Sequence, residues 1–296
     1  MPLIIPKEIP AYKILGKNAF VISKEKAFHQ DIRPLEVLVL NLMPLKIETE
    51  NQIFSLLANS PLQVNITLIS TKSYIGKNTL QSHLERFYIN FAEVSNKKFD
   101  GAIVTGAPIE HLNYEDVTYF DELINIMDYL RVNCTSTMYL CWGAMAGLYH
   151  FHKINKISLD KKLFGVFNHK SINDDLLLSG IDEIVKIPHS RHSGVDEIAI
   201  RQNKDLKVLL NGEISGASVL KDSKDIFILG HPEYAKYTLL NEYQRDLDKG
   251  FKIDLPKDYL DSNNEPIFSW RSSASVLFAN WLNFYVYQET PFKLND

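Results

Sequence analysis

The sequence predicts an α/β fold, a mostly parallel sheet with helices on both faces. Two observations carry the prediction. Short β-branched runs alternate with longer helical patterns through the first half of the chain, the signature of parallel strands joined by crossover helices. The run Leu35–Leu42 (LEVLVLNL) is nearly continuous in apolar residues, which suits a strand buried on both faces better than alternation would.

The strands of this half are Leu35–Leu42, Val64–Ser70, Gly101–Thr105 and Thr135–Leu140. A helix is expected over Glu48–Ala58, where Ile53, Phe54, Leu56 and Leu57 supply the apolar positions and Pro61 stops it. Another is expected over Glu115–Val132, which sets Val117, Phe120, Ile124, Met127 and Leu130 at helical spacing. In the second half, shorter strands are expected at Phe164–Phe167, Ile184–Ile187, Glu197–Ile200, Lys207–Leu210, Ala217–Leu220 and Asp225–Leu229, several of them antiparallel beside the main sheet. Helical patterns return at Tyr237–Lys249 and Ser273–Tyr285, and the polar, proline-containing stretch Gly250–Ser269 between them reads as a surface loop. No repeat, low-complexity tract or flexible linker interrupts the chain, so residues 1–296 are expected to form a single domain.

Composition narrows the function. The 32 basic and 36 acidic side chains leave a net charge of −4 with no basic stripe, which argues against a nucleic-acid partner. No apolar run approaches the roughly 20 residues of a membrane span. The opening MPLIIPKEIPAYKIL has no apolar h-region and does not read as a signal peptide. Only two cysteines occur, Cys134 and Cys141, poorly placed to bridge, so a reducing cytoplasmic setting is expected.

In open parallel sheets, ligands collect outside the carboxyl ends of the strands. There the sequence places Cys141, followed by the small-residue run Gly143-Ala144-Met145-Ala146-Gly147 that opens a helix. A helix N-terminus favours a thiolate, and the Trp142 N–H is available to an oxyanion. The plainer reading is a buried small hydrophobe. A second strand, DIFILG, ends in His231-Pro232-Glu233, an imidazole and a carboxylate two residues apart. Together they follow the logic of a Cys–His–Glu triad. A helix cap explains Pro232 and Glu233 but gives His231 no use.

These residues resemble class I glutamine amidotransferase-like proteins, in which a strand-end Cys is paired with a downstream His-Pro-Glu. The resemblance narrows through Asn41-Leu42-Met43-Pro44 with Lys46, Thr105-Gly106-Ala107-Pro108, Thr135-Ser136-Thr137, Cys141-Trp142-Gly143-Ala144, Pro188-His189-Ser190-Arg191, Gly230-His231-Pro232-Glu233-Tyr234 and Ser269-Trp270-Arg271-Ser272. That set is similar to the homoserine O-acyltransferase family of methionine biosynthesis. It runs from Pro2-Leu3 to Gln288, essentially the whole chain. The fold so implied is flavodoxin-like and class I glutamine amidotransferase-like.

By this resemblance, Cys141 attacks an acyl-CoA thioester, and the γ-hydroxyl of L-homoserine takes the acyl group with His231 as base and Glu233 orienting it. Two modest steps replace one difficult encounter, with ping-pong kinetics. The family's substrate-binding positions map onto Lys162, Ser190 and Arg245, a guanidinium suiting the α-carboxylate. Arg245 also reads plainly as a solvated helix residue with Asp248 and neighbouring charges to pair with it. Lys46 is a secondary candidate for placing charge near acyl transfer, or a surface lysine. In the family, the residue after Thr-Gly-Ala-Pro-x separates donors, glycine with succinyl-CoA and glutamate with acetyl-CoA. Here it is Glu110, whose charge would oppose a succinyl carboxylate, unless it faces solvent. Acetyl transfer is therefore expected, with acetyl-CoA as co-substrate and no cofactor. Succinyl transfer is the alternative, and a glutamine amidotransferase subunit a more distant one, since the elbow lacks Gly-x-Cys-x-Gly. The resemblance also implies a homodimer. His150-x-His152 and His189-x-x-His192 have ligand-like spacing, but no cysteine or carboxylate cluster joins them, and no metal is expected.

Overall fold

The computed structural model describes residues 3–16, 21–28, 33–72 and 79–291, so Pro2 of the matched N-terminus lies outside the described residues. In chain order the strands are β1 (Leu3–Ile4), β2 (Val21–Ile22), β3 (Leu35–Leu40), β4 (Val64–Ile69), β5 (Tyr88–Ile89), β6 (Phe99–Val104), β7 (Cys134–Leu140), β8 (Lys156–Ser171), β9 (Ile184–Val195), β10 (Lys207–Gly212), β11 (Gly216–Lys221) and β12 (Ile226–Ile228). The α-helices are α1 (Pro10–Leu15), α2 (Lys24–Phe28), α3 (Lys46–Leu57), α4 (Gln81–Phe87), α5 (Phe120–Asn133), α6 (Trp142–His152), α7 (Glu197–Gln202), α8 (Thr238–Asp248) and α9 (Arg271–Asn280).

One sheet joins the strands in the order β2-β1-β4-β3-β6-β7-β12-β11-β10-β8-β9, with β5 beside β4. From β2 to β12 the neighbours run parallel, and from β12 to β9 they run antiparallel. The four central strands are covered on both faces, which is why their sequences lack alternation. Val37, Val39, Ile103, Met138, Leu140, Ile226 and Ile228 pack with α3 and α9. Leu38, Leu40, Ala102, Val104, Tyr139 and Phe227 pack with α5 and α6. The sheet reverses its winding between β3 and β6. A crevice opens outside the carboxyl ends there.

Three expectations change. Glu197–Ile200 is the helix α7, because Asp196 Oδ1 caps the Ile198 and Ala199 N–H groups at 3.0 Å each and so starts a turn where alternation suggested a strand. Phe164–Phe167 and Ile184–Ile187 are fragments of the long arms β8 and β9, whose charged residues and register shift between Ser158 and Leu163 hide the strand pattern. The Gly250–Ser269 stretch lies largely on the surface but is pinned: Val166 donates to the Lys257 carbonyl (2.8 Å), Lys257 donates back to that of Phe164 (3.0 Å), and Tyr259 is fully buried. At the C-terminus α9 winds on as a π-helix over Trp281–Tyr287. Trp270 and Trp281 are buried, and Trp281 Nε1 donates to Ser136 Oγ (3.0 Å), so these aromatics serve the core.

Candidate active site

Cys141 stands between β7 and α6 with φ 48° and ψ −115°, a conformation that L-residues adopt only under constraint. Two contacts impose it. The Cys141 N–H donates to the Ile228 carbonyl of the neighbouring strand (2.7 Å), and the Cys141 carbonyl accepts the first helical bond, from Met145 (3.0 Å). Gly143 lets the helix press onto the end of β6, since a Cβ there would lie 2.5 Å from the Thr105 carbonyl oxygen. The first N–H groups of α6, beginning with Trp142, have no carbonyl one turn back and are left for a ligand. This is a nucleophile elbow. The other thiol, Cys134, begins β7, and burial pushes it up to about 12, which leaves it an inert packing group.

His231 follows β12, and its ring is fixed on two sides. Nδ1 is 2.7 Å from Glu233 Oε1, and the Tyr234 ring stacks on the imidazole at 4.1 Å between centroids. Burial alone would drive His231 towards neutrality, but attraction to the Cys141 sulfur and to Glu233 outweighs it and raises the imidazole well above its ordinary range. The arrangement favours a charged imidazole beside the Cys141 sulfur, with Glu233 behind it.

Cys141 and His231 open into a cleft of roughly 2280 Å3 that is also lined by Glu110, Lys162, Ser190 and Arg245. The structure thus brings together six of the expected residues, with Glu233 just behind. Lys162 Nζ and Arg245 Nη2 both reach Asp246, each at 2.8 Å, on opposite oxygens. Arg245 therefore pairs with Asp246 and not with Asp248, which accepts from Gln244 one turn back. Burial works against the Asp246 carboxylate, but the two cations hold it below the usual range. Glu110 is half-buried. Its carboxylate accepts from the His192 N–H (3.3 Å), and its carbonyl from Lys156 Nζ (2.6 Å) and Ser193 Oγ (3.0 Å), so it is tethered to the cleft wall.

Lys46 does not join them. Its ammonium turns inward, donating to the Asn41 carbonyl (2.5 Å) and lying over the Tyr88 ring, where burial lowers it to about 8 against the opposing pull of Glu50. Glu50 in turn accepts from Tyr88 (2.7 Å) and lies 2.9 Å from His83 Nε2, a buried network beneath the turn that carries Met43 to Leu45 into the cleft. The first histidine pair has ordinary partners: His150 meets Asp128 and His152 meets Asp222 at the end of α6. Sequence reasoning missed Tyr234 and Asp246. The first carried a signal, an aromatic adjoining the His-Pro-Glu; the second carried a weaker one, as a charge directly beside Arg245.

A strand-end thiol and a His–Glu pair on this mixed sheet define the class I glutamine amidotransferase-like architecture. Solved structures agree. A glutamine amidotransferase from Thermotoga maritima superposes with a TM-score of 0.61 at 10% identity, covering 86% of this chain and 100% of that one. Another from Methylobacillus flagellatus gives 0.59 at 10% identity, covering 90% and 98%. Identity so low shows the fold alone. Sequence goes further: residues 2–292 match the homoserine O-succinyltransferase (HTS) family, and the chain belongs to it. Relatives include homoserine O-acetyltransferases of Campylobacter jejuni (strain RM1221), 56% identical over 99% of this chain and 100% of that one, and of Lachnoclostridium phytofermentans, 48% identical with the same coverage. Homoserine O-acetyltransferase 1 of Ilyobacter polytropus is 50% identical, again over 99% and 100%.

Proposed function

We propose that this chain transfers an acetyl group from acetyl-CoA to the γ-hydroxyl of L-homoserine, through a thioester on Cys141. The observation that carries the reading is the elbow of Cys141 facing a His231 ring locked to Glu233. The thiolate attacks the thioester carbonyl, and the Trp142 N–H stabilises the oxyanion. The bond to the CoA sulfur breaks, and the departing thiolate takes a proton from His231. Homoserine then enters, its γ-hydroxyl gives a proton to His231, and its oxygen displaces Cys141 to leave O-acetyl-L-homoserine. Arg245 and Lys162, balanced on Asp246, offer donors to the amino-acid carboxylate, and Ser190 lines the same wall.

Glu110 supports acetyl over succinyl transfer, since its tethered carboxylate would face the distal carboxylate of a succinyl chain. The names of the similar acetyltransferases favour the same donor, while the family's name favours succinyl. With this reading go a homodimer and a cytoplasmic setting. Among the described residues no helix is long and apolar enough to cross a membrane.

Mass spectrometry after acetyl-CoA treatment tests the proposal. The expected result is an acetyl adduct on Cys141 that L-homoserine discharges and other amino acids do not. An adduct elsewhere, or acyl transfer undiminished in Cys141→Ala, overturns it.

A further inference from the structure

The cleft of roughly 2280 Å3 is far larger than an amino acid and an acetyl group fill, and part of its wall has no task in the site as described. That part runs from Lys249 to Lys257, where α8 ends and the chain returns towards β8. Gly250, at φ 78°, closes the helix: its N–H donates to the Leu247 carbonyl (2.8 Å) and the Phe251 N–H to that of Asp246 (3.0 Å). An apolar side chain just past such a stop ordinarily packs on the preceding turn. Here that turn offers Arg245 and Asp246, an ion pair, and the Phe251 ring stays 61% exposed at the cleft. Lys249 and Lys252 flank it in the chain and line the same wall, and among the described residues neither side chain makes a hydrogen bond or an ion pair. Along this stretch the wall carries Lys249, Lys252 and Lys257 against a single carboxylate, Asp254. Its far end is fixed by the backbone bonds that tie Lys257 to β8.

An exposed aromatic ring between cations, on the wall of a reaction site, suits a nucleotide: the base stacks on the ring and the phosphates meet the charges. We propose that Phe251, Lys249 and Lys252 hold the nucleotide end of acetyl-CoA, the adenine on the ring and the phosphates against the two ammonium groups. The inference rests on the reading of acetyl-CoA as donor. Distance supports it. Thr238, Asn241, Glu242, Arg245 and Lys249 all line the cleft and recur every three or four residues. They form one stripe along α8, which begins a turn after Tyr234, the residue stacked on His231. At about 1.5 Å per residue, Lys249 stands about 16 Å along the helix axis from Thr238. The pantetheine arm, about thirteen bonds advancing roughly 1.2 Å each as in an extended peptide, sets the diphosphate about 16 Å from the sulfur. Direction supports it too. The strands β6, β7 and β12 lie side by side, and Glu110, Cys141 and the segment leading to α8 follow them in that order. With the acyl tail turned to Glu110, the CoA arm leaves Cys141 on the side of α8. Because CoA departs before homoserine enters, a wall that later offers Arg245 to the amino acid can carry the arm first.

The experiment compares kcat/KM for acetyl-CoA with that for S-acetylpantetheine, which has the arm without the nucleotide, in the full chain with saturating L-homoserine. In a ping-pong reaction this ratio reports the donor half alone. Two variants are set against wild type, Phe251→Ala and the pair Lys249→Gln with Lys252→Gln, all three being exposed side chains. Each variant is expected to lose about tenfold with acetyl-CoA and to stay within about twofold with S-acetylpantetheine. The loss in the lysine pair should narrow in about 0.5 M salt, which screens the phosphate contacts of wild type as well. Adenosine 3′,5′-bisphosphate, the nucleotide without the arm, should compete with acetyl-CoA and bind each variant about tenfold more weakly. An acetyl-CoA kcat/KM unchanged in either variant, a loss equal for both donors, or inhibition by the bisphosphate that neither variant weakens overturns the proposal. Failure of the donor reading shows separately, in the wild type alone, as absence of turnover with both acetyl donors.

Discussion

Replacing Glu110 is the sharpest probe of donor choice, because its backbone and side chain can be separated. The Lys156 and Ser193 contacts reach the Glu110 carbonyl, so Glu110→Gly and Glu110→Gln both keep the segment tied to the cleft wall. Glu110→Gln removes the charge and keeps the bulk; Glu110→Gly removes both. Two unit negative charges about 6 Å apart at an effective dielectric of ~20 repel by roughly 2.8 kcal/mol, about a hundredfold in rate. Glu110 is only partly buried, and solvent screening trims this to between about tenfold and a hundredfold. The assay is kcat/KM for acetyl-CoA and succinyl-CoA, followed by loss of thioester absorbance with saturating L-homoserine. Wild type is expected to favour acetyl-CoA, Glu110→Gln to raise the succinyl-to-acetyl ratio by that factor, and Glu110→Gly to raise it further by the room gained. Wild-type succinyl turnover equal to or above acetyl turnover, or a ratio unchanged in both variants, refutes the assignment.

Glu233→Gln removes the carboxylate that holds the imidazolium, and kcat should fall by about a hundredfold, the value of a charge-assisted hydrogen bond, with little change in thermal stability; stopped assays and melting curves check both. Arg131 donates to Asp222 and to Asp225, both at 2.6 Å and both buried, so Arg131→Met leaves Asp225 without its cation and Asp222 with His152 alone, and should cost roughly 3 kcal/mol in urea denaturation. Burial raises Asp225 to about 6 even with Arg131 pulling it down, and without the guanidinium it rises further, so the variant's deficit should shrink as pH falls towards about 6 and the variant's carboxyl neutralises first. For Lys46, lowered to about 8 by burial, it is the cationic form that folding disfavours. Between about 8 and about 10.4 the folded chain has shed the proton that the unfolded chain keeps, so wild-type stability should rise with pH relative to Lys46→Met; parallel denaturation curves across that window measure the slope.

The strand-end logic was legible because chemistry and topology coincide in the sequence: Cys141 and His231 each terminate an apolar run, and parallel sheets gather such ends. The long parallel strands were readable to within a few residues for the same reason, that doubly buried strands cannot hide their composition, whereas the two-residue strands β1, β2 and β5 are too short to carry a pattern. Legibility failed where side chains act on residues close in sequence or distant in space. Asp196 turns an alternating run into a helix by capping it. Lys46 follows a strand as a site residue would, yet one helical turn aims it at Glu50 and away from the cleft. Arg245 chose its immediate neighbour because Asp246 also serves Lys162, 84 positions away. The tie that pins Lys257 to β8 is made by backbone, which no composition records.

The bond from the Cys141 N–H to Ile228 also fixes when in folding this site can be assembled. The chain passes through β8, β9, β10 and β11 before β12 can slot beside β7, so the elbow is closed by a segment nearly ninety residues downstream. Until then Cys141 is an ordinary thiol on a half-made sheet, without its imidazole and without its enforced backbone. A chain still emerging from synthesis, or one frayed over its last third, therefore has no imidazole beside that thiol and no fixed elbow around it. The Cys141–His231–Glu233 constellation is assembled only together with the native topology.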